Sequence, residues 1–406
     1  MITVSKSGTG DFTSIQEAID HALPGDTISI APGIYKEVVT VKTPHLTIIG
    51  SNTDFNAEYL RSRISSNESE LCDSGTSCCA ANESANVFLS SDNTIISYGN
   101  YAKMPSSDIG KLGTFRTYTM IIDADDVTLK NMTIENSAGA GPDIGQAIAL
   151  YADGDKLRFE NIRLLGWQDT LFTGPLPPKE IEKNGFIGPK QFSPRINGHQ
   201  YYNNCYIEGD IDFIFGSATA YFEKCVIFQK NREAFLYRKH SYTSYCGSDT
   251  TIVSSDKSFS QKDLNSIFDS DETRVIKSYV TASSTPEGQD YGYVFDDCHF
   301  DSDCPDGTCY LGRPWRNYAS VVIMNSFIGS QINKEGFHNW NKKDAESTVR
   351  FYEYRNYGPG ASFSNKPNVN AAYDATEEDL HQSRARFVKE LTDTEACMFS
   401  KEKVIS

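Results

Sequence analysis

One local pattern recurs along the chain: a small polar or cysteine residue, a few alternating apolar positions, then Gly, Asn or Asp. It runs as Asn131-Met132-Thr133-Ile134-Glu135-Asn136 and Asn161-Ile162-Arg163-Leu164-Leu165-Gly166, then as Cys205-Tyr206-Ile207-Glu208-Gly209 and Cys225-Val226-Ile227-Phe228. It returns as Cys298-His299-Phe300-Asp301 and Ser326-Phe327-Ile328-Gly329, with earlier relatives at Thr27–Ile30 and Leu46–Gly50. Period-two alternation between turn residues predicts short strands. Such strands could build a sandwich, a barrel or a solenoid. The same residue class returning before each strand favours the last: an all-β, right-handed parallel β-helix, in which each side chain sits over its equivalent one coil away. Cys205, Cys225 and Cys298 are expected to be rungs of an internal ladder.

Solenoid ends expose unpaired strand edges and need covering. Thr13 to Leu23 reads as an amphipathic helix, with Ile15, Ala18, Ile19 and Ala22 on one face and a capping-box spacing at Ser14 and Glu17. Residues 376–391 read as a second, C-terminal helix. Between them the chain is expected to be one domain over residues 1–406, with loop excursions at 51–92, at the Pro-rich stretch 173–198 and at about 230–275.

The net charge of −16 argues against nucleic acid as a partner and means that local cations must attract any anionic substrate. No apolar run is long enough to span a bilayer, so no membrane association is expected. Ten cysteines suit an oxidising compartment. Cys304 and Cys309, flanking Pro305-Asp306-Gly307-Thr308, could close a small disulfide loop; free thiols throughout are the alternative. No signal peptide is visible after Met1, which leaves two expectations: secretion if the segment has been removed, cytoplasm if the start is native. Asn67-Glu68-Ser69 and Asn82-Glu83-Ser84 fit a glycosylation pattern. No zinc-ligand spacing occurs and no metal or organic cofactor is expected.

Chemistry points to three segments. Gly166-Trp167-Gln168-Asp169-Thr170-Leu171 and Asp212-Phe213-Ile214-Phe215-Gly216 set aspartates among apolar and glycine residues, and Leu311-Gly312-Arg313-Pro314-Trp315 supplies a fixed cation. Two carboxylates and an arginine in apolar settings suggest a pair held in different protonation states, as in a carboxylate-based hydrolase. No Gly-x-Ser-x-Gly elbow is present. Taken singly, each aspartate is better explained by a turn bonding its own backbone, and each glutamine nearby by a satisfied core amide.

With Gly8-Thr9-Gly10-Asp11-Phe12, Gly33-Ile34-Tyr35-Lys36-Glu37, Gln146-Ala147-Ile148-Ala149-Leu150 and Glu353-to-Gly360 added in order, the chain resembles the pectin methylesterase (pectinesterase) family. The resemblance implies a long groove on the outer face of the β-helix. It implies Asp212 as nucleophile, Arg313 holding it ionised, Asp169 as the acid and base, and Gln146 and Gln168 as oxyanion donors. Phe215 and Trp315 match family groove positions that stack on sugar; Trp167 and Phe172 are further candidates whose alternative is packing. Tyr35 and Glu37 are expected to be structural. The implied partner is methyl-esterified homogalacturonan, and a monomer suffices. The separation of Asp169 from Asp212 exceeds one coil, and the surplus falls in 173–198, so this loop is expected to rim the groove. Competing readings are a calcium-dependent polysaccharide lyase, a non-catalytic carbohydrate-binding solenoid, and the same machinery turned to another ester.

Overall fold

The computed structural model describes residues 1–52, 93–236, 275–361 and 384–405. Short strands stack into three long sheets of eleven, eight and seven strands, in which sequence neighbours lie in different sheets. That order is a parallel β-helix. Every pairing within the three sheets is parallel, and a two-stranded antiparallel hairpin, Pro105–Ser106 with Gly110–Lys111, stands apart.

The repeat predicted from sequence sets the register. Thr133, Arg163, Tyr206, Val226, His299 and Phe327 are successive partners through one sheet. The residues before them therefore stack as well, and Cys205, Cys225 and Cys298 are buried rungs of one ladder. Their Sγ atoms donate to the Phe159, Tyr202 and Phe222 carbonyls at 3.4, 3.5 and 3.4 Å. One position earlier, Asn131, Asn161, Asn204, Lys224, Asp297 and Asn325 all have φ between 51° and 55°. This left-handed residue turns each coil sharply, and asparagine tolerates it best among residues with a side chain. The core between the sheets is filled by a second ladder. Phe159, Tyr202, Phe222 and Phe295 stack with centroids 4.5, 4.5 and 4.4 Å apart, each contact adding about 0.5–1.5 kcal/mol beyond burial.

The N-terminal helix forms at Ile15–His21, with Ile15, Ala18 and Ile19 buried against the first coil. Its cap differs from the expected box. Ser14 accepts from the Glu17 N–H, but Glu37, reaching from the coil below, takes the Ile15 and Gln16 N–H groups at 3.1 Å each. At the other end the expected helix over 376–391 is corrected. Residues 376–383 lie outside the described residues, and Val388–Glu390 is a strand paired in parallel with Phe351–Glu353. The open edge of the final coil offers backbone groups that a strand satisfies and a helix cannot, and this outweighs helical periodicity. Closure by helix comes later, in Asp393–Ala396, which has a full Thr392/Glu395 capping box, and Lys401–Val404.

Of the two readings open for Cys304 and Cys309, the structure has the second: both are free thiols. Cys309 opens a strand with its side chain wholly inside, where it meets the Thr308 hydroxyl at 3.8 Å. Of the excursions, residues 53–92 and 237–274 lie outside the described residues, along with both glycosylation patterns. Among the described residues no helix is long and apolar enough to cross a membrane.

Candidate active site

The seven-stranded sheet carries the site. Asp169 precedes the strand Leu171–Thr173, and Asp212 lies in Ile211–Gly216. Leu171 pairs with Ile214, so the two aspartates occupy one column in adjacent coils despite their distance in sequence. Both are left-handed, at φ 65° and 52°. The ladder pairing beyond Asp212 breaks register between Ile211 and Ile214. Arg313 sits one coil beyond the small Ala282, which is itself the partner of Phe215. A larger residue at 282 would obstruct the guanidinium on its way back to Asp212.

Arg313 Nε and Nη2 donate to Asp212 Oδ1 and Oδ2 at 2.8 Å each, a bidentate pair. The guanidinium is clamped between two rings, with its carbon 3.9 Å from the Tyr279 centroid and 3.8 Å from that of Trp340. Trp340 is held by its own turn: Trp340 and Asn341 are both left-handed, and the Trp340 N–H donates to His338 Nδ1 at 3.0 Å.

Burial raises the proton affinity of both carboxylates, for different balances of cause. Asp169 is pushed well above the usual range by desolvation and then by the charge of Asp212. Asp212 is also raised by desolvation, but the Arg313 hydrogen bonds and charge pull against it. The pair therefore loses its first proton from Asp212 and keeps the second on Asp169.

Gln146 and Gln168 line the same groove. The Gln168 Oε1 accepts from Arg232 Nη2 at 3.4 Å, which leaves its NH₂ end for the groove. Arg232 is in turn paired with Asp210, a fully buried carboxylate that also accepts the Ile211 N–H at 2.7 Å. Arg232 was not visible as a site residue in the sequence, because it comes from the start of an excursion.

The groove encloses about 400 Å³ and includes Phe215, Trp315, Trp340, Lys342 and Arg316 among its walls. One aromatic expectation is corrected. Phe172 is fully buried beneath the groove floor, 5.0 Å from Phe115 and 4.9 Å from Phe215 by ring centroid. It points out of the coil into a cluster with Phe115, Tyr151 and Phe215, and Leu176 and Phe186 of the 173–198 loop pack into the same cluster, so it has no route to solvent. Trp167, half-exposed next to Gln168, packs on Phe235 at 4.5 Å and carries the Lys230 ammonium 3.9 Å over its ring.

The 173–198 loop does rim the groove, through Ile181, Glu182, Gly185 and Phe186. Arg195 staples it from within, donating to the carbonyls of Pro177, Lys190, Ser193 and Gln191. Lys190 ties it to Asp123 and, at 3.7 Å, to Asp153 on the solenoid. Gly174 lets the chain leave the coil, since a Cβ there would lie 2.4 Å from Asp153 Cγ.

A sequence-family model described as Pectinesterase matches residues 80–175, 195–251 and 259–390. Pectinesterase 31 of Arabidopsis thaliana is 28% identical over 377 residues, covering 90% of this chain and 85% of its own length. A pectinesterase/pectinesterase inhibitor of Prunus persica is 28% identical over 369 residues, covering 89% of this chain and 52% of its own. Among solved structures, the pectin methylesterase from carrot superposes with a TM-score of 0.62 at 22% identity, over 100% of this chain and 92% of that one. A pectin methylesterase in complex with a hexasaccharide gives 0.61 at 22% identity, over 100% and 96%.

Proposed function

Because the chain belongs to the pectinesterase family of carboxylic ester hydrolases, we propose that its groove removes methyl groups from methyl-esterified polygalacturonate, giving methanol and pectate. Asp212, ionised and aimed by Arg313, attacks the ester carbonyl carbon. The oxyanion that forms is met by the NH₂ groups of Gln146 and Gln168, neutral donors that do not compete for the nucleophile's charge. Collapse breaks the bond to methoxide, and Asp169 gives up its proton so that methanol departs. The galacturonyl group is then held on Asp212 as an anhydride. Asp169, now a carboxylate, takes a proton from water, the hydroxide attacks the same carbon, and Asp212 is released ionised with the proton back on Asp169.

The observation that carries this reading is the in-register column of Asp169 and Asp212 with one arginine committed to only one of them. The aromatic walls Phe215 and Trp315 offer faces to sugar rings. A polymer too large to cross a membrane implies that the reaction takes place outside the cell, and one chain supplies every reacting group. Methanol release from highly methylated pectin, followed in the presence of chelator together with ultraviolet absorbance, tests the proposal. Methanol without unsaturated product is expected; no methanol from folded protein, or unsaturated product without methanol, contradicts it.

A further inference from the structure

The clamp on Arg313 hangs on a turn that one imidazole helps to hold. Phe337 and His338 extend the seven-stranded sheet beyond its last strand, Cys309–Pro314. Gly312 and Phe337 form a parallel bridge there, and the His338 N–H donates to the Gly312 carbonyl at 3.0 Å. The chain then reverses through Trp340 and Asn341, at φ 55° and 56°, a conformation that side chains adopt only where their surroundings enforce it. Side chains supply that enforcement. Asn339 Nδ2 donates to Glu346 Oε1 at 2.6 Å, and Lys342 Nζ to the Pro314 and Trp315 carbonyls at 2.8 and 3.1 Å. The Trp340 N–H itself is taken by His338 Nδ1 at 3.0 Å.

That last bond constrains the ring. A backbone N–H only donates, so Nδ1 presents a lone pair and the imidazole is neutral, with its proton on Nε2. One residue on, the same two-residue link is made by a group that does not titrate: the Asn341 N–H donates to Asn339 Oδ1 at 2.9 Å. His338 therefore fills a place that an asparagine would serve, and makes it sensitive to protons. The ring is half-buried against Tyr279 and Tyr310, with centroids 6.0 and 5.3 Å away. Tyr279 is also the ring that carries Arg313. The charged groups around it are Arg313 from the neighbouring strand, Glu335 from its own segment, and the Glu346–Arg386 pair, which lines the same cavity. Burial, and then the charge of Arg313, hold the imidazole below the ordinary histidine range, against the pull of Glu335. A proton arriving on Nδ1 costs the arrangement twice. It turns the acceptor into a donor facing the Trp340 N–H, and it sets an imidazolium beside the guanidinium.

We propose that neutral His338 is a positioning residue for Arg313, acting through Trp340, and that its protonation loosens the clamp and gives activity an acid limb of its own. The inference rests on the reading that Arg313 aims Asp212 at a methyl ester. His338 touches neither Asp212 nor the groove walls. It acts because Trp340, once its N–H is released, no longer keeps the guanidinium bidentate on Asp212. Asp212 must also be ionised for attack, so the enzyme carries two separate acid-side requirements, one on the nucleophile and one on the turn behind its arginine.

The test follows kcat for methanol release from methylated pectin between about pH 4 and 8 in wild type, His338→Ala and His338→Asn, alongside the nitrogen NMR shifts of the His338 ring and the indole signal of Trp340. His338→Ala should lower the plateau kcat about tenfold, the loss of one hydrogen bond behind a positioned group. His338→Asn, which keeps an acceptor for the Trp340 N–H, should restore most of that loss. Wild type should fall through two protonations on the acid side, and both variants through one. The ring should carry its proton on Nε2 at the plateau and titrate with the step that the variants lack. An acid limb unchanged in His338→Asn, or a plateau proton on Nδ1, overturns the proposal. Wild type that releases no methanol at any pH removes the esterase reading instead. The Trp340 signal then decides the positioning role: a change on acidification in wild type but not in His338→Asn supports it, and no change in wild type overturns it.

Discussion

Two columns of left-handed residues run along this solenoid, and they are put to opposite uses. In the turn column the asparagines meet one another's needs: Asn161 donates to Asn131 at 2.7 Å and Asn204 donates to Asn161 at 3.2 Å. In the groove column the stacked residues are Asp169 and Asp212, whose charges oppose each other and whose burial disfavours ionisation. The backbone device is shared. What differs is whether the side chains that it stacks can hydrogen-bond along the column. The turn column is stabilising, and the groove column holds strain that chemistry can use.

The comparison breaks first, and most severely, at Asp212. Asp212→Ala should lower kcat by about four orders of magnitude or more while the circular dichroism spectrum is unchanged; activity within tenfold of wild type would remove the nucleophile assignment. Phe222→Ala, in the core stack, should do the reverse, costing about 3–5 kcal/mol in urea unfolding with KM little altered. Asp169→Asn divides the two effects. Its methanol release should fall about 10²–10⁴-fold, yet its Tm at pH 7 should rise by about 2–4 °C. The sign follows from a folded-state proton affinity raised above the unfolded one: once pH exceeds the ordinary aspartate range the unfolded chain gives up this proton while the fold retains it, which favours unfolding. The gain should therefore vanish as pH falls below about 4, and a gain that persists in acid would point to packing instead. Asn161→Ala should have the smallest effect, a loss of about 1 kcal/mol with normal methanol release.

How much of this was legible in sequence depends on the range of the interaction. The turn residues and alternating strands are local, so the coils, the cysteine rungs and the helix at Ile15–His21 could be read directly. Asp169, Asp212 and Arg313 carried recognisable surroundings, and the Pro-rich loop betrayed itself by composition. The clamp on Arg313 did not, because Tyr279 and Trp340 come from different coils and meet only through the stack. Lys342 and Arg316 were missed for the same reason, and Arg232 because it stands at the start of an excursion. Phe172 and Phe215 are partners in adjacent strands, and alternation alone could not tell which of them reaches the groove surface. The C-terminal strand at Val388–Glu390 was hidden because its pairing edge, Phe351–Glu353, exists only once the last coil has formed.

The central claim is that two carboxyl groups in one column are held in different protonation states by a single arginine. Infrared difference spectra at pH 7 address it directly, subtracting Asp169→Asn and Asp212→Asn in turn from wild type. The account predicts that Asp169→Asn removes a protonated carboxylic-acid band and Asp212→Asn removes a carboxylate band. Loss of a carboxylate band in both would contradict it.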